Sequence, residues 1–256
     1  MGWRKVFISM LLLAAAAFAL WRPVMAGDWR TASREPTGIA PDPALTPEAV
    51  VQVYTARAWS WRGTFGVHSW TAVKPTGADA YSVYEVLGWR LYRGLSTLIV
   101  HNRPPDARWF GSEPDIIADL RGDGVDAIIE RIAETARSYP YNGEYRLWPG
   151  PNSNTFTAFI GRAVPELKLD LPPTAIGKDY LSGTFFARAP SGTGYQFSLF
   201  GLLGLLVGIE EGVEVNLLGL TFGIDAKNPA LKLPMAGRVG FAGRRRGLAP
   251  TKLEVL

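Results

Sequence analysis

The sequence predicts an α+β fold: an antiparallel sheet with helices packed on it, followed by a C-terminal Gly/Leu-rich β-hairpin region. Three observations predict it. Short stretches between residues 49 and 101 are rich in β-branched and aromatic residues and are broken by Gly63-Thr64-Phe65-Gly66 and Pro75-Thr76-Gly77-Ala78-Asp79, the pattern of strands and turns. Two later stretches have helical period instead. From Phe197 to Ile224 the chain changes again, to apolar runs punctuated by Gly201, Gly204 and Gly208.

The elements follow in order. Residues 1–26 hold two early bases, the apolar run Val6 to Leu20 and then Val24-Met25-Ala26, a small-residue cleavage pattern. This reads as a signal peptide or, if uncleaved, an N-terminal membrane anchor through residues 6–20, with the domain outside the cytoplasm. Residues 27–45 are rich in proline and polar side chains and read as a flexible linker. Residues 46–243 form a single domain, and 244–256, opening on Arg244-Arg245-Arg246, a basic tail.

Within the domain, Val51-Val53-Thr55 alternates as a strand does, although Pro47 leaves a helix start open. Trp59 to Arg62, Val67 to Val73, Tyr81 to Trp89 and Thr97 to His101 read as further strands. A helix is expected over Val125 to Arg137, where positions 125, 128, 129, 132, 133 and 136 are apolar, with a cap from Asp123 or Gly124. A second helix runs from Ser153 or Asn154 to Val164. Phe197 to Ile224 reads as a long buried hairpin turning at Glu210-Glu211-Gly212.

Composition removes several function classes. The chain has 256 residues, a net charge of +4, no cysteine and two histidines. Without cysteine there is no disulfide, thiol nucleophile or Cys-zinc site. Two histidines and no HExxH give no expected metal site, and no phosphate-binding glycine motif points to a nucleotide cofactor. Outside residues 1–26 the chain holds 24 bases against 23 acids, so it carries no nucleic-acid footprint.

The chemistry concentrates at Trp148-Pro149-Gly150-Pro151-Asn152-Ser153-Asn154-Thr155-Phe156. A rigid turn delivers Ser153 to a helix start, where backbone N–H groups favour an anion. Ser153 is either the helix cap or a nucleophile. If the hairpin after Val67-His68-Ser69-Trp70 turns about Thr76-Gly77, His68 faces Glu85, and a carboxylate beside an imidazole fixes its orientation. This nominates Ser153 as nucleophile, His68 as base and Glu85 as orienter. Asn152 and Asn154 are candidate oxyanion or substrate contacts, and Trp70 and Trp148 candidate ligand-facing aromatics. His101 is assigned no partner, and Pro190-Ser191-Gly192-Thr193-Gly194 is either a plain turn or an anion cradle.

The stretch "NSNTF" resembles the "NCxxF" helix start of circularly permuted papain-like proteins, the NlpC-type and lecithin:retinol-acyltransferase-like group. There too the strand histidine precedes the helix nucleophile. The resemblance implies a papain-like core, but Ser153 stands where that group has cysteine. Over roughly residues 50–240 the chain resembles an uncharacterised bacterial family, domain of unknown function 3750. That resemblance rests on "HSW" at 68–70, "WFG" at 109–111, "YPY" at 139–141, "WPGPNSNTF", "PPTAIGKDY" at 172–180, "PSGTGYQ" at 190–196, "EGVEVNLLGL" at 211–220 and "PALKLP" at 229–234.

Two functions are therefore expected. One is a non-catalytic cell-envelope binding module, periplasmic or anchored facing the periplasm, with a cleft for a peptidoglycan or lipid fragment. The other is a Ser-dependent amide or ester hydrolase or acyltransferase using Ser153 and His68.

Overall fold

The computed structural model describes residues 28–240 and 250–252, and within them the fold is α+β. The signal or anchor segment and nearly all of the basic tail lie outside the described residues. Thirteen strands are described, and they form two sheets. Sheet A comprises β1 (Val50–Arg57), β2 (Val67–Lys74), β3 (Ser82–Val86), β4 (Leu98–His101), β5 (Asp115–Arg121) and β13 (Thr251–Lys252), in the order β13-β5-β1-β2-β3-β4. All its pairs are antiparallel except β13 with β5.

Strand β1 is buried on both sides, which explains its near-continuous apolar sequence. Val51 and Val53 face one core, with Ile128, Ile132, Phe156 and Ile160 of helices α2 (Val125–Arg137) and α3 (Ser153–Ala163). Val50, Tyr54 and Ala56 face the other, with Trp70, Ala72 and Val83. The 3.6-residue stripe of α2 places Val125, Ile128, Ile129, Ile132 and Ala136 inward. Its N-cap is Gly124, in the left-handed region, with no side-chain cap bond.

Four expectations need correction. Trp59 to Arg62 is not a strand: Ser60 takes a φ of 64°, which ends extension, and the short helix α1 (Arg62–Phe65) follows. The strand expected over Tyr81 to Trp89 spans only β3. At Gly88 the chain passes under Tyr145 so closely that a Cβ would meet that ring at 2.5 Å, and a 3-10 helix over Gly88–Arg93 follows. Residues 28–45 are no loose linker. They strap the second face of sheet A: the buried Asp106 carboxylate accepts from Ile39 N at 2.9 Å, and Arg108 N donates to Glu35 O at 3.0 Å. Finally, β2 and β3 pair as Thr71↔Tyr84, Ala72↔Val83 and Val73↔Ser82, so continuing that register sets His68 opposite Leu87, not Glu85.

The C-terminal region is not one buried hairpin but a seven-stranded antiparallel meander. Sheet B comprises β6 (Phe186–Arg188), β7 (Gly194–Leu199), β8 (Leu203–Gly208), β9 (Gly212–Leu217), β10 (Leu220–Asp225), β11 (Ala230–Leu233) and β12 (Gly237–Gly240). The turn at Glu210-Glu211 is present, since Gly208 pairs with Gly212. The burial is the reverse of that expected: Gln196, Ser198, Glu214, Asn216, Thr221 and Lys232 are buried, while the alternate apolar residues face out. Among the described residues no helix is long and apolar enough to cross a membrane.

Candidate functional site

Alternation along β2 decides the site. Ser69 Oγ donates to Asn154 Oδ1 at 2.8 Å, so Ser69 faces α3. His68, the next residue back, faces the other side of sheet A, stacked against Trp70 at 5.7 Å and Trp109 at 3.7 Å between ring centroids. Strand geometry thus separates two polar clusters that the sequence reading joined.

The first cluster surrounds Glu85. Its side chain is buried, and Oε1 lies 3.0 Å from His68 Nε2 and accepts from Arg103 Nη2 at 3.0 Å; Oε2 lies 3.0 Å from His101 Nε2. His68 reaches Glu85 although the two do not pair directly. A two-residue shift of register preserves the sheet face, and diagonal neighbours remain within reach of a long side chain. Likewise His101 pairs with Val83 and so lies diagonal to Glu85 on the same face.

Burial would by itself raise the Glu85 carboxyl. The hydrogen bonds from His101 and His68, and the Arg103 charge, outweigh it and hold the group well below the usual carboxylate range. Burial depresses the His68 ring more than the Glu85 contacts raise it. The pair is therefore an ionised carboxylate beside a neutral imidazole, which assigns the Nε2 proton to His68 and leaves Nδ1 as acceptor. With both histidine Nε2 atoms on the carboxylate, no group of three His, Asp or Glu side chains among the described residues is arranged to hold a metal.

Aromatic rings carry this cluster to the surface. Trp109 stacks on His68 on one side and on Trp89 at 5.7 Å on the other, and Trp89 is 45% exposed. Arg34 lies over Phe110, which meets Trp109 edge-on. Trp70 is not ligand-facing: it is fully buried beneath the cluster, with its indole N–H donating to Pro105 O at 2.8 Å. His101, Arg103 and Trp109 were missed as site residues. The signal for His101 was its place on a strand beside Glu85. Trp109, in the loop from β4 to β5, stood in the "WFG" motif with nothing to tie it to His68, and for Arg103, in the same loop, the sequence carried no signal.

The second cluster lies at the start of α3. Asn152, not Ser153, caps the helix. Its side chain accepts from Asn154 N and Thr155 N, while Thr155 Oγ1 accepts from Asn152 N at 3.0 Å in a reciprocal capping box. Trp148-Pro149 and Gly150-Pro151 are both cis. The Asn152 amide donates to Leu147 O and Ile176 O, and the Asn154 amide to Val67 O and Ile176 O. These amides are committed to backbone carbonyls rather than to an open oxyanion position. Ser153 is 3% exposed and hydrogen-bonds Tyr145 on the helix side of the sheet. Nothing places it against His68.

The remaining motifs hold sheet B in place. Trp148 donates its indole N–H to Leu218 O at 2.9 Å. The Ser191 N–H and hydroxyl both donate to Glu211, so the anion in the "PSGTG" turn is the chain's own carboxylate. Lys178 meets Asp179 and Glu214, and Lys232 meets Asp170 at 2.6 Å and Glu214 at 2.7 Å, forming a buried ionic layer between the body and sheet B. A cavity of about 310 Å³, lined by Tyr139, Tyr141, Phe159, Arg162 and Tyr180, opens beside α3.

Against known proteins, residues 48–180 match the model of the family described as "Protein of unknown function (DUF3750)", which covers strands β1 to β5 of sheet A, both long helices and the Ser153 and Glu85 clusters. No curated protein and no solved structure matches the chain. The chain belongs to the DUF3750 family.

Proposed function

We propose that this member of the DUF3750 family is an exported, non-catalytic envelope module that holds a peptidoglycan fragment on the Trp89–Trp109 surface. The observation that carries this reading is the Glu85 cluster: one buried carboxylate fixes His68, His101 and Arg103 beneath a half-exposed tryptophan. Donors held by a partner lose little freedom on binding, so such a site is organised before its ligand arrives. The C–H face of a sugar ring packs on an indole, and the Arg103 cation suits the carboxylates of a peptide stem. The apolar run at 6–20 supports export, with anchoring if it is retained.

A papain-like scaffold is supported by α3 lying against β2 through the Ser69–Asn154 bond. The alternative of a Ser-dependent hydrolase or acyltransferase needs Ser153 and His68 within hydrogen-bond reach, whereas Ser69 is the β2 residue bonded to α3 and His68 is bonded to Glu85 and stacked on Trp109. Geometry therefore favours holding over cleavage.

Sedimentation with purified peptidoglycan tests the reading. The wild-type chain should pellet with it, and Trp89→Ala should weaken binding at least tenfold, about 1.4 kcal/mol. A wild-type chain left in the supernatant would exclude a peptidoglycan ligand.

A further inference from the structure

Sheet B is inside out. Its inner rows, such as Ser198–Gly204–Asn216–Thr221, are buried against the body. Its outer row Tyr195–Val207–Val213–Ile224–Leu231–Val239 is 48–73% exposed. On that face Arg188, on the edge strand β6, is the one charged side chain of the seven strands. From strand spacing and rise the face measures roughly 30 Å by 20 Å. That is larger than the few hundred Å² of contiguous apolar surface usual on a soluble monomer.

A second observation is independent of the face. Three alternate turns of the meander fall at one end of the sheet, and each presents a large apolar residue in the left-handed region: Phe200 (φ 52°), Leu218 (φ 53°) and Met235 (φ 64°). They are 42–69% exposed. Asn or Gly is favoured at such positions, and Leu218-Gly219 occupies a two-residue turn where Asn-Gly is the preferred pair. Phe185, also exposed, meets Phe200 edge-on at the same end. The opposite end carries the polar turns Glu210-Glu211 and Lys227-Asn228. Local conformational preference is thus overridden three times at one end to put apolar side chains into solvent, whereas at the other end the exposed Ile209 stands alone beside Glu210 and has no left-handed backbone.

We propose that the outer face of sheet B and its Phe200–Leu218–Met235 end form a docking surface for a lipid bilayer. A second copy packed sheet against sheet would cover the flat face and has no use for apolar tips directed along the strands. The sequence also favours lipid: three residues separate β12 from Arg244-Arg245-Arg246, and a basic cluster that close in sequence to an apolar strand adds attraction to anionic headgroups. This surface is separate from the Glu85 cluster and does not depend on a peptidoglycan ligand.

The absence of cysteine permits a site-specific test on the full chain. Leu218→Cys, Met235→Cys and, at the opposite end, Ala226→Cys are each labelled with an environment-sensitive fluorophore and mixed with phosphatidylglycerol-containing vesicles. The labels at 218 and 235 should shift to the blue and be quenched by nitroxide-labelled acyl chains, while the label at 226 stays in water. If the chain pellets with vesicles but the labels at 218 and 235 stay in water, the N-terminal run alone holds it there and the proposal fails. A blue shift that needs no vesicles and grows with protein concentration would identify a second copy as the occupant and overturn it equally.

Discussion

Sheet A buries Val51 and Val53 under two helices on one side and Val50 and Tyr54 under a strap on the other. Sheet B turns Glu214, Asn216 and Lys232 inward and Val213, Val215 and Leu231 outward. The two sheets have similar β-forming sequences, but apolar contact holds the first and a buried ionic layer the second. Alternation therefore states which residues share a face and leaves open which face meets the protein. It also locates function: both proposed contacts with the envelope arise where a sheet departs from ordinary burial. One is the charged residue Glu85 inside sheet A, the other the apolar exterior of sheet B.

The largest expected effect lies inside sheet B. Lys232→Met removes the cation that Glu214 and Asp170 share, leaving Glu214 with Lys178 and Asp170 with Arg238, and should cost up to about 3–5 kcal/mol, as breaking a buried ion pair does. Leu205→Ser on the outer face should stay within about 0.5 kcal/mol. Denaturant midpoints measure both, and a larger loss from Leu205→Ser would mean that the outer face is a core after all.

The next effect is a pH dependence belonging to sheet A. Because burial lowers the His68 pKa, its stability contribution is complete above the unfolded value of about 6.5 and is lost as pH falls toward the folded value. In that window stability should fall by up to about 1.4 kcal/mol per pH unit. Glu85 is depressed as well and adds a loss in the same direction below about pH 4.3. Thermal melts from pH 8 to pH 5 should show the slope and His68→Gln should flatten it; an unchanged slope would move its source elsewhere.

Smaller still is the cap of α3. Asn152→Ala should cost about 0.5–2 kcal/mol, and Ser153→Ala less, since Asn152 carries the capping box. The reverse order would restore Ser153 as the cap. Smallest is Leu218→Asn, which relieves a left-handed leucine and should raise stability by about 0.5–1 kcal/mol while removing an apolar tip. A loss there would show that Leu218 packs in the folded chain.

Much of this was legible in the sequence, for reasons that particular residues make clear. Helix α2 announced itself because one face repeats every 3.6 residues. Glu85 could be linked to His68 without the right register, since an even shift keeps both on one face. Other features depend on tertiary contacts that no local pattern reports. Whether His68 or Ser69 meets α3 is set by packing, and it is Ser69 that bonds to that helix while His68 bonds to Glu85. The inversion of sheet B was hidden because Val213-Glu214-Val215-Asn216-Leu217 alternates identically whichever side is buried. The strap at 28–45 looked loose because its partner Asp106 lies in a loop far along the chain.

The central claim is that the chain holds its ligand beside Glu85 rather than reacting with it at Ser153. Titration with a soluble peptidoglycan fragment, followed through the tryptophan indole N–H signals in a nuclear magnetic resonance spectrum, tests it most directly. The Trp89 and Trp109 signals should move and saturate, the Trp148 signal should stay still, and the fragment should be recovered intact. Movement of Trp148 without Trp89 and Trp109, or cleavage of the fragment that Ser153→Ala abolishes, would contradict the account.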